Sequence, residues 1–257
     1  MSELVTYERS GSTGEVTLRR PEKFNAIDIP MLHALDLALD AAEADEEART
    51  ILVCGEGKGF CGGGDIEGWA ALGPTRFQFD WIRYGHRVFD RLARLRQPTI
   101  AVLAGHALGG GLELATACDF RIAEPHAKLG FPETSLGVIP GWSGTQRAVR
   151  RYGAQVVRRL ALGGEIVTAA QAQVMGVVDA VAEVGGAHQL AESWADRIAA
   201  RAPLATGSAK MLIAIAEGEE TPAAVEALAS GFVGMTQDRK TGAEAFRTRS
   251  TPKYTRT

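Results

Sequence analysis

The stretch that most limits the fold runs from an apolar segment, Thr99–Leu103, to three consecutive glycines, Gly109, Gly110 and Gly111. Leu112, Leu114, Ala115 and Cys118 follow. The apolar segment reads as a buried strand, and the spacing after the glycines gives one apolar helical face. The glycines therefore stand where a strand gives way to a helix. The first turn of a helix carries backbone N–H groups with no partner inside it, and the helix dipole makes that end positive. Glycine, lacking a Cβ, lets another group approach those amides. Glu113 lies just inside the helix. An anion-friendly backbone beside a carboxylate is a candidate reaction centre. Tight packing at a turn, with an acidic partner for the dipole, is the plainer reading of the same residues.

Two further passages, near Cys54 and Ala123, show the same order of strand, glycine-bearing loop and helix, which points to a repeated supersecondary unit. Residues 4–7 and 15–19 read as short strands joined by a turn at 10–14. Asp28 reads as a helix cap, with Pro30 in the first turn and Leu32, Leu35 and Leu39 on one face. Residues 51–54, 120–123 and 177–181 are further strand candidates, whereas 69–81 is rich in aromatic residues without a clean period. Another helix runs through Val88, Leu92 and Leu95 toward Pro98. From His188 the pattern is helical and alanine-rich, with breaks at Pro203 and Pro222. Strands alternating with helices, then helices alone, predict an α/β core over residues 1–187 and a helical region over 188–257.

Charge and cysteine usage narrow the chemistry. A formal net charge of -3 argues against nucleic-acid binding by bulk charge. The densest basic cluster, Arg147, Arg150, Arg151, Arg158 and Arg159, reads as a solvated face. Cys54, Cys61 and Cys118 have no paired spacing and no paired histidines, so neither a zinc site nor a disulfide framework is expected. Buried reduced thiols, a start at Met1, Ser2 and Glu3 without a basic-then-apolar leader, and no long apolar run predict a cytoplasmic protein without a membrane span. The loop from Gly55 to Gly59 lacks P-loop spacing, and neither glycine-rich loop has dinucleotide-binding order. Ser143 is not in a GxSxG setting, has no evident histidine partner, and reads as a turn or capping residue.

The two glycine loops taken together are more informative. If the fold brings Gly64 and Gly110 together, their amides could hold one oxygen that gains negative charge, which suits thioester enolate chemistry as well as acyl transfer. Glu113 and Glu133 are then the candidates for proton handling, and the apolar neighbours of Glu133 favour burial and a raised pKa.

These stretches resemble the crotonase, or enoyl-CoA hydratase/isomerase, superfamily. The resemblance rests on Arg19-Arg20-Pro21-Glu22-Lys23-Phe24-Asn25-Ala26, Gly59-Phe60-Cys61-Gly62-Gly63-Gly64-Asp65-Ile66, and Ala107-Leu108-Gly109-Gly110-Gly111-Leu112-Glu113. It continues through Phe131-Pro132-Glu133, Leu136-Gly137-Val138-Ile139-Pro140-Gly141, Gly144-Thr145-Gln146-Arg147, and a tail with Asp238, Gly242, Phe246 and Tyr254. The motifs stand in order over nearly the whole chain. The resemblance implies an α/β spiral of repeated ββα units with a C-terminal helical region that serves trimerisation, as a homotrimer or homohexamer. It implies that Gly64 and Gly110 supply the oxyanion hole and that Glu113 and Glu133 are the two glutamates of hydratases. The implied reaction is hydration of a 2-enoyl-CoA to a 3-hydroxyacyl-CoA, with Glu113 as base toward water and Glu133 as proton donor to the α-carbon. Coenzyme A is part of the substrate, and no metal or redox cofactor is implied.

The same resemblance makes Lys23 and Arg249 candidates for the CoA phosphates and places carbonyls near Gly62 at the adenine. It counts Asp65 and Ile66, on the oxyanion loop, among the substrate-binding residues, Asp65 also as a helix cap, and it makes Trp142 a pocket residue with Trp69, Phe77, Phe79 and Trp81. His106 reads as packing. Three departures stand out: Trp142-Ser143 where small residues are usual and Gly63-Gly64 where alanine is frequent bear on acyl specificity, and few basic residues around Arg249 bear on the phosphate assignment. The alternatives are another CoA-thioester activity such as double-bond isomerisation, or a non-catalytic RNA-binding or assembly protein.

Overall fold

The computed structural model describes residues 4–220 and 222–257; Met1, Ser2 and Glu3, on which the expectation about a leader falls, lie outside the described residues. Among the described residues ten strands form two sheets. The strands are β1 Val5–Ser10, β2 Thr13–Leu18, β3 Thr50–Gly55, β4 Gly59–Cys61, β5 Thr99–Leu103, β6 His106–Leu108, β7 Phe120–Ala123, β8 Lys128–Gly130, β9 Val167–Thr168 and β10 Ala180–Val181. The larger sheet has the order β1-β2-β3-β5-β7-β10 and the smaller β4-β6-β8-β9. Among the described residues only the β1/β2 and β8/β9 pairs are antiparallel.

The helices are α1 Ile29–Ala44, α2 Ile66–Ala70, α3 Pro74–Arg76, α4 Tyr84–Ala93, α5 Gly110–Ala117, α6 Gln146–Tyr152, α7 Ala154–Val157, α8 Ala169–Val174, α9 Ala187–Ala199, α10 Pro203–Ala216, α11 Pro222–Gly234 and α12 Gln237–Thr248. A π-helical segment, Phe77–Arg83, leads into α4. Asp28 caps α1 by accepting from the Met31 amide at 2.9 Å, as its position before Pro30 predicts.

The repeat is a ββα unit. β3, β5 and β7 lie in the larger sheet, and each is followed by a three-residue strand of the smaller one, β4, β6 and β8. Each short strand then delivers the chain to a glycine loop or tight turn. β3 and β5 are almost wholly apolar and buried, as parallel strands covered on both faces require. One core, which includes Leu112, Leu114 and Ala115 of α5, lies on one side of the larger sheet. A second core packs Leu52, Cys54, Ile100, Val102 and Ile122 against Ala187, Ala191 and Ala195 of α9.

Two boundaries differ from the sequence reading. The chain divides into compact units at residues 1–210 and 211–257, where the composition predicts a change at 187/188. The reason is α9: its alanines are part of the second sheet core, so this alanine-rich helix belongs to the α/β unit. The strand expected over 177–181 shrinks to Ala180–Val181, because Arg121 takes the Val177 carbonyl and the Asp179 carboxylate into side-chain bonds. Among the described residues no single helix is long and apolar enough to cross a membrane.

Candidate active site

The short strands of the smaller sheet position the site. β4 runs parallel to β6, so the loop after β4, carrying Gly62, Gly63 and Gly64, lies beside the turn after β6, carrying Gly109 and Gly110. A Cβ placed on Gly63 would lie 3.3 Å from the Gly110 nitrogen, and one on Gly110 would lie 3.5 Å from the Gly64 nitrogen. The two loops are in van der Waals contact. The Gly63 carbonyl accepts from the Ile27 amide and the Asp65 amide donates to the Ile27 carbonyl, which fixes Gly64 between two pinned neighbours. Gly110 is the first residue of α5. Among the described residues, neither the Gly64 nor the Gly110 amide donates to another group.

Indole rings wall these amides. A Cβ on Gly64 would meet Trp81 at 2.8 Å and Trp69 at 3.4 Å, and one on Gly110 would meet Trp142 at 2.7 Å. Trp81 and Trp142 pack with ring centroids 4.5 Å apart, and the Trp142 indole N–H donates to the Trp81 carbonyl at 3.3 Å. Phe77 packs on Trp69 at 6.0 Å between centroids. Phe79 does not join them; it is half-exposed along an open groove of about 1260 Å³ beside α1 and α4.

Glu113 sits in the first turn of α5, a helix buried on every side. Its Oε1 accepts from the Trp142 and Gly144 amides, each at 2.7 Å. Gly144 must be small here, since a Cβ there would lie 2.8 Å from that oxygen. Glu133 lies on the single-turn 3-10 segment Pro132–Leu136 after β8. Both of its carboxylate oxygens are buried without a hydrogen-bond partner. Such groups are rare in folded proteins and point to a ligand or water in the working state. Gly109, at φ +52, brings the pair together: its missing Cβ leaves room for Glu133 Oε1 at 3.1 Å, and its carbonyl accepts from the Glu113 amide.

Burial lifts both carboxyl groups. It pushes Glu113 up to about 8, with the Glu133 charge adding to the rise and the amides of Gly144, Trp142 and Gly141 opposing it. It pushes Glu133 up to about 7. Two such groups in one low-dielectric site titrate as a pair, and near neutral pH the pair retains a proton.

The other sequence candidates are spread more widely. Asp65 caps α2 through the Glu67 and Gly68 amides and pairs with Arg20 at 2.8 Å. Ile66 opens α2 half-exposed, and the Gly62 amide donates to the Phe24 carbonyl. Lys23 pairs with Glu67 at 2.6 Å on the surface. Arg249 belongs to the second unit, where it ends α12 in a left-handed conformation. His106 is on the edge of β6 and its Nδ1 accepts from the Lys128 amide, so it does not reach the glutamates. The basic cluster is not one face: Arg147 is buried and pairs with Asp90, Arg151 bonds the Cys118 carbonyl, and Arg159 pairs with Glu165.

Ser143 requires a correction. A histidine does partner it: His86 Nε2 lies 3.1 Å from its Oγ. The partner comes from α4, far away in sequence, which is why no local pattern reveals it. The same imidazole nitrogen also faces Asp90 at 3.6 Å, so His86 does not bridge serine and aspartate through opposite nitrogens as a hydrolase relay does. Sequence reasoning also left out Gly109 and Gly144 as positions that shape the carboxylate pair.

Comparison with known proteins places the chain in a family. The enoyl-CoA hydratase/isomerase family model matches residues 8–257. A probable mitochondrial enoyl-CoA hydratase 2 of Arabidopsis thaliana is 38% identical over 94% of this chain and 81% of its own length. A short-chain-enoyl-CoA hydratase of Clostridium acetobutylicum is 34% identical over 94% of each. The crystal structure of an enoyl-CoA hydratase from Bacillus anthracis superposes with a TM-score of 0.82 at 30% identity, covering 98% of both chains. Paired glycine amides, a coupled glutamate pair on the ββα spiral and a match over almost the full length together make this chain a member of the enoyl-CoA hydratase/isomerase family, within the crotonase superfamily.

Proposed function

We propose that the protein hydrates a 2-enoyl-CoA thioester to a 3-hydroxyacyl-CoA. The observation that carries this reading is the buried, unpartnered Glu133 carboxylate, coupled to Glu113 beside two amides with no acceptor of their own. The Gly64 and Gly110 amides receive the thioester oxygen as it gains enolate character. Removing one donor from such a hole typically costs ~10²–10³ in rate. The water oxygen bonds to the β-carbon while its proton passes to Glu113. The proton held by Glu133 goes to the α-carbon. One proton therefore stays on the pair before and after the step. Burial favours holding it on Glu113, the distribution from which the reverse dehydration starts; the next water to enter, after product has left, takes this proton from Glu113 and gives one to Glu133. The reaction itself calls for no metal or redox cofactor.

Trp142, Trp81 and Trp69 bound the acyl side of the hole, and Gly62, Asp65 and Ile66 lie on the loop that leads to the CoA side. Lys23 and Arg249 are the cations we assign to the CoA phosphates; Lys23 would exchange its exposed Glu67 partner for phosphate. We assign the working form to a homotrimer or a dimer of trimers. Its support is the family resemblance and the exposed apolar side chains of α11 and α12.

The test is turnover of crotonyl-CoA and of longer and aryl-substituted 2-enoyl-CoAs in isotopically labelled water, read by mass spectrometry. A 3-hydroxyacyl product carrying one solvent oxygen is expected. A positional isomer without solvent oxygen would replace hydration by isomerisation, and CoA binding without turnover would leave a non-catalytic protein.

A further inference from the structure

On the α9 side of the larger sheet three unlike side chains converge. Glu15 comes from β2, Cys54 from β3 and His188 from the first turn of α9. In the parallel register of β2 and β3, Thr17 lies opposite Cys54 and Glu15 opposite Leu52, so Glu15 and Cys54 stand on one diagonal of the same face. One donor atom from each of the three lies within 4.8 Å of the other two, and His188 Nε2 is 2.8 Å from Glu15 Oε2. We propose that Glu15, Cys54 and His188 form a binding site for a zinc-like divalent transition metal, which ties α9 to β2 and β3.

The donor set selects the ion. A thiolate and an imidazole suit zinc and its first-row neighbours, whereas magnesium and calcium take oxygen. Metal–donor bonds of about 2.0–2.3 Å at a tetrahedral angle put donor atoms roughly 3.3–3.8 Å apart. Small side-chain rotations reach that spacing from the observed one. Metal-bound histidines commonly direct their other nitrogen at a carboxylate, and Glu192, one helical turn along α9, puts its Oε2 3.7 Å from His188 Nδ1. Glu15 and His188 line a groove of about 680 Å³, with Cys54 buried behind them; its walls also carry Glu8, Glu56, Glu192 and Asp196 and the guanidinium groups of Arg9 and Arg19, the latter paired with Glu56 at 3.0 Å. The carboxylates of the lining outnumber its two guanidinium groups, which favours a cation, and the groove supplies water for a fourth coordination position. Among the described residues no other group combines three such ligands. Cys61 and Cys118 are buried and turn to backbone carbonyls. Linear spacing hides the site because each ligand sits on a different element. Binding releases the Cys54 proton to the water of the groove, forms the metal–sulfur bond and replaces the Glu15–His188 hydrogen bond. Leu112, Leu114 and Ala115 around Glu113 belong to the other core, so the site is structural and separate from the glutamate pair.

The test is cobalt(II) titration of the full-length, untagged, metal-free protein. We expect one equivalent to bind with a thiolate-to-cobalt charge-transfer band that zinc abolishes, and zinc to raise the melting temperature. His188→Gln, at a half-exposed position, is expected to weaken binding at least about tenfold with an unchanged circular dichroism spectrum. Cys54→Ser removes the band. Failure of the native protein to give the band overturns the proposal, as does cobalt affinity undiminished in His188→Gln. If Cys54→Ser does not fold, the His188→Gln titration decides.

Discussion

At the residue scale the site turns on two carboxyl groups that burial holds near neutral pH. Glu113→Gln and Glu133→Gln each keep the shape of the side chain and remove its proton chemistry. Each should lower kcat by about 10²–10⁴, the usual contribution of a positioned acid or base. Near-normal kcat in either variant would remove that residue from the mechanism. The active pair carries one proton, so kcat/KM should fall below about 7, where both groups become protonated, and above about 8, where both ionise. A rate–pH profile without both limbs contradicts the shared proton. The same shifts have a consequence for stability. Both folded-state pKa values lie above those of an unfolded chain, near 4.5. The favourable contribution of the protonated groups is therefore complete below about pH 4.5 and is lost as pH rises through 7 to 8. The double Gln variant should thus melt above the wild type at pH 9, and the gap should close at pH 5. An equal gap at both pH values would show that the carboxyl groups are not desolvated as the fold implies.

At the element scale the decisive piece is the turn into α5. Gly109 has φ +52 and ψ -125, a conformation costly for any other residue, and its absent Cβ leaves the space that Glu133 uses. Gly137 also has a left-handed φ, +72, but a Cβ there would meet nothing within 4 Å. Gly137→Ala should therefore cost only backbone strain, about 1–2 kcal/mol, with little change in kcat. Gly109→Ala should cost more stability and also displace Glu133, lowering kcat at least about tenfold. Chemical denaturation and steady-state kinetics on the two variants check this; equal effects would mean that Glu133 needs no room from Gly109. The turn was readable from sequence because glycine triplets and an acidic first turn have a physical reason to coincide. The strand before it was not. β4, β6 and β8 are three residues long, too short to show a period of two, so the second sheet, which sets the two glycine loops side by side, was hidden although their pairing was expected. The aromatic stretch after Trp69 shows no 3.6-residue period because Phe77–Arg83 is a π-helix. The glutamates were readable from the glycine loops and the apolar flanks of Glu133, and the resemblance implied their roles, but not their partners: the amides of Trp142 and Gly144 reach Glu113 only through the tertiary fold.

At the scale of the whole molecule the contrast between the two units carries the argument. The first unit has two sheet cores, and even its alanine-rich α9 is absorbed into one of them. In the second, residues 211–257, the buried hydrophobic side chains among the described residues are those of Ala224 and Ala245. Val225, Phe232, Val233, Met235 and Phe246 of that unit are more than half exposed, Phe246 at 89%. Single exposed apolar residues are ordinary, but a small unit that buries so little cannot offset its conformational entropy unaided. The trimer we assign supplies other chains against which α11 and α12 can bury these side chains. Sedimentation should therefore give the mass of three or six chains. Phe232→Glu combined with Phe246→Glu should shift it toward one chain, since a carboxylate in such an interface loses its hydration without gaining a partner. Because Gly64, Gly110, Glu113 and Glu133 all lie in the first unit, a folded double variant should keep the raised carboxyl pKa values while losing the assembly. A wild type that sediments as one chain, or a double variant that sediments as the wild type does, removes α11 and α12 from the proposed interface.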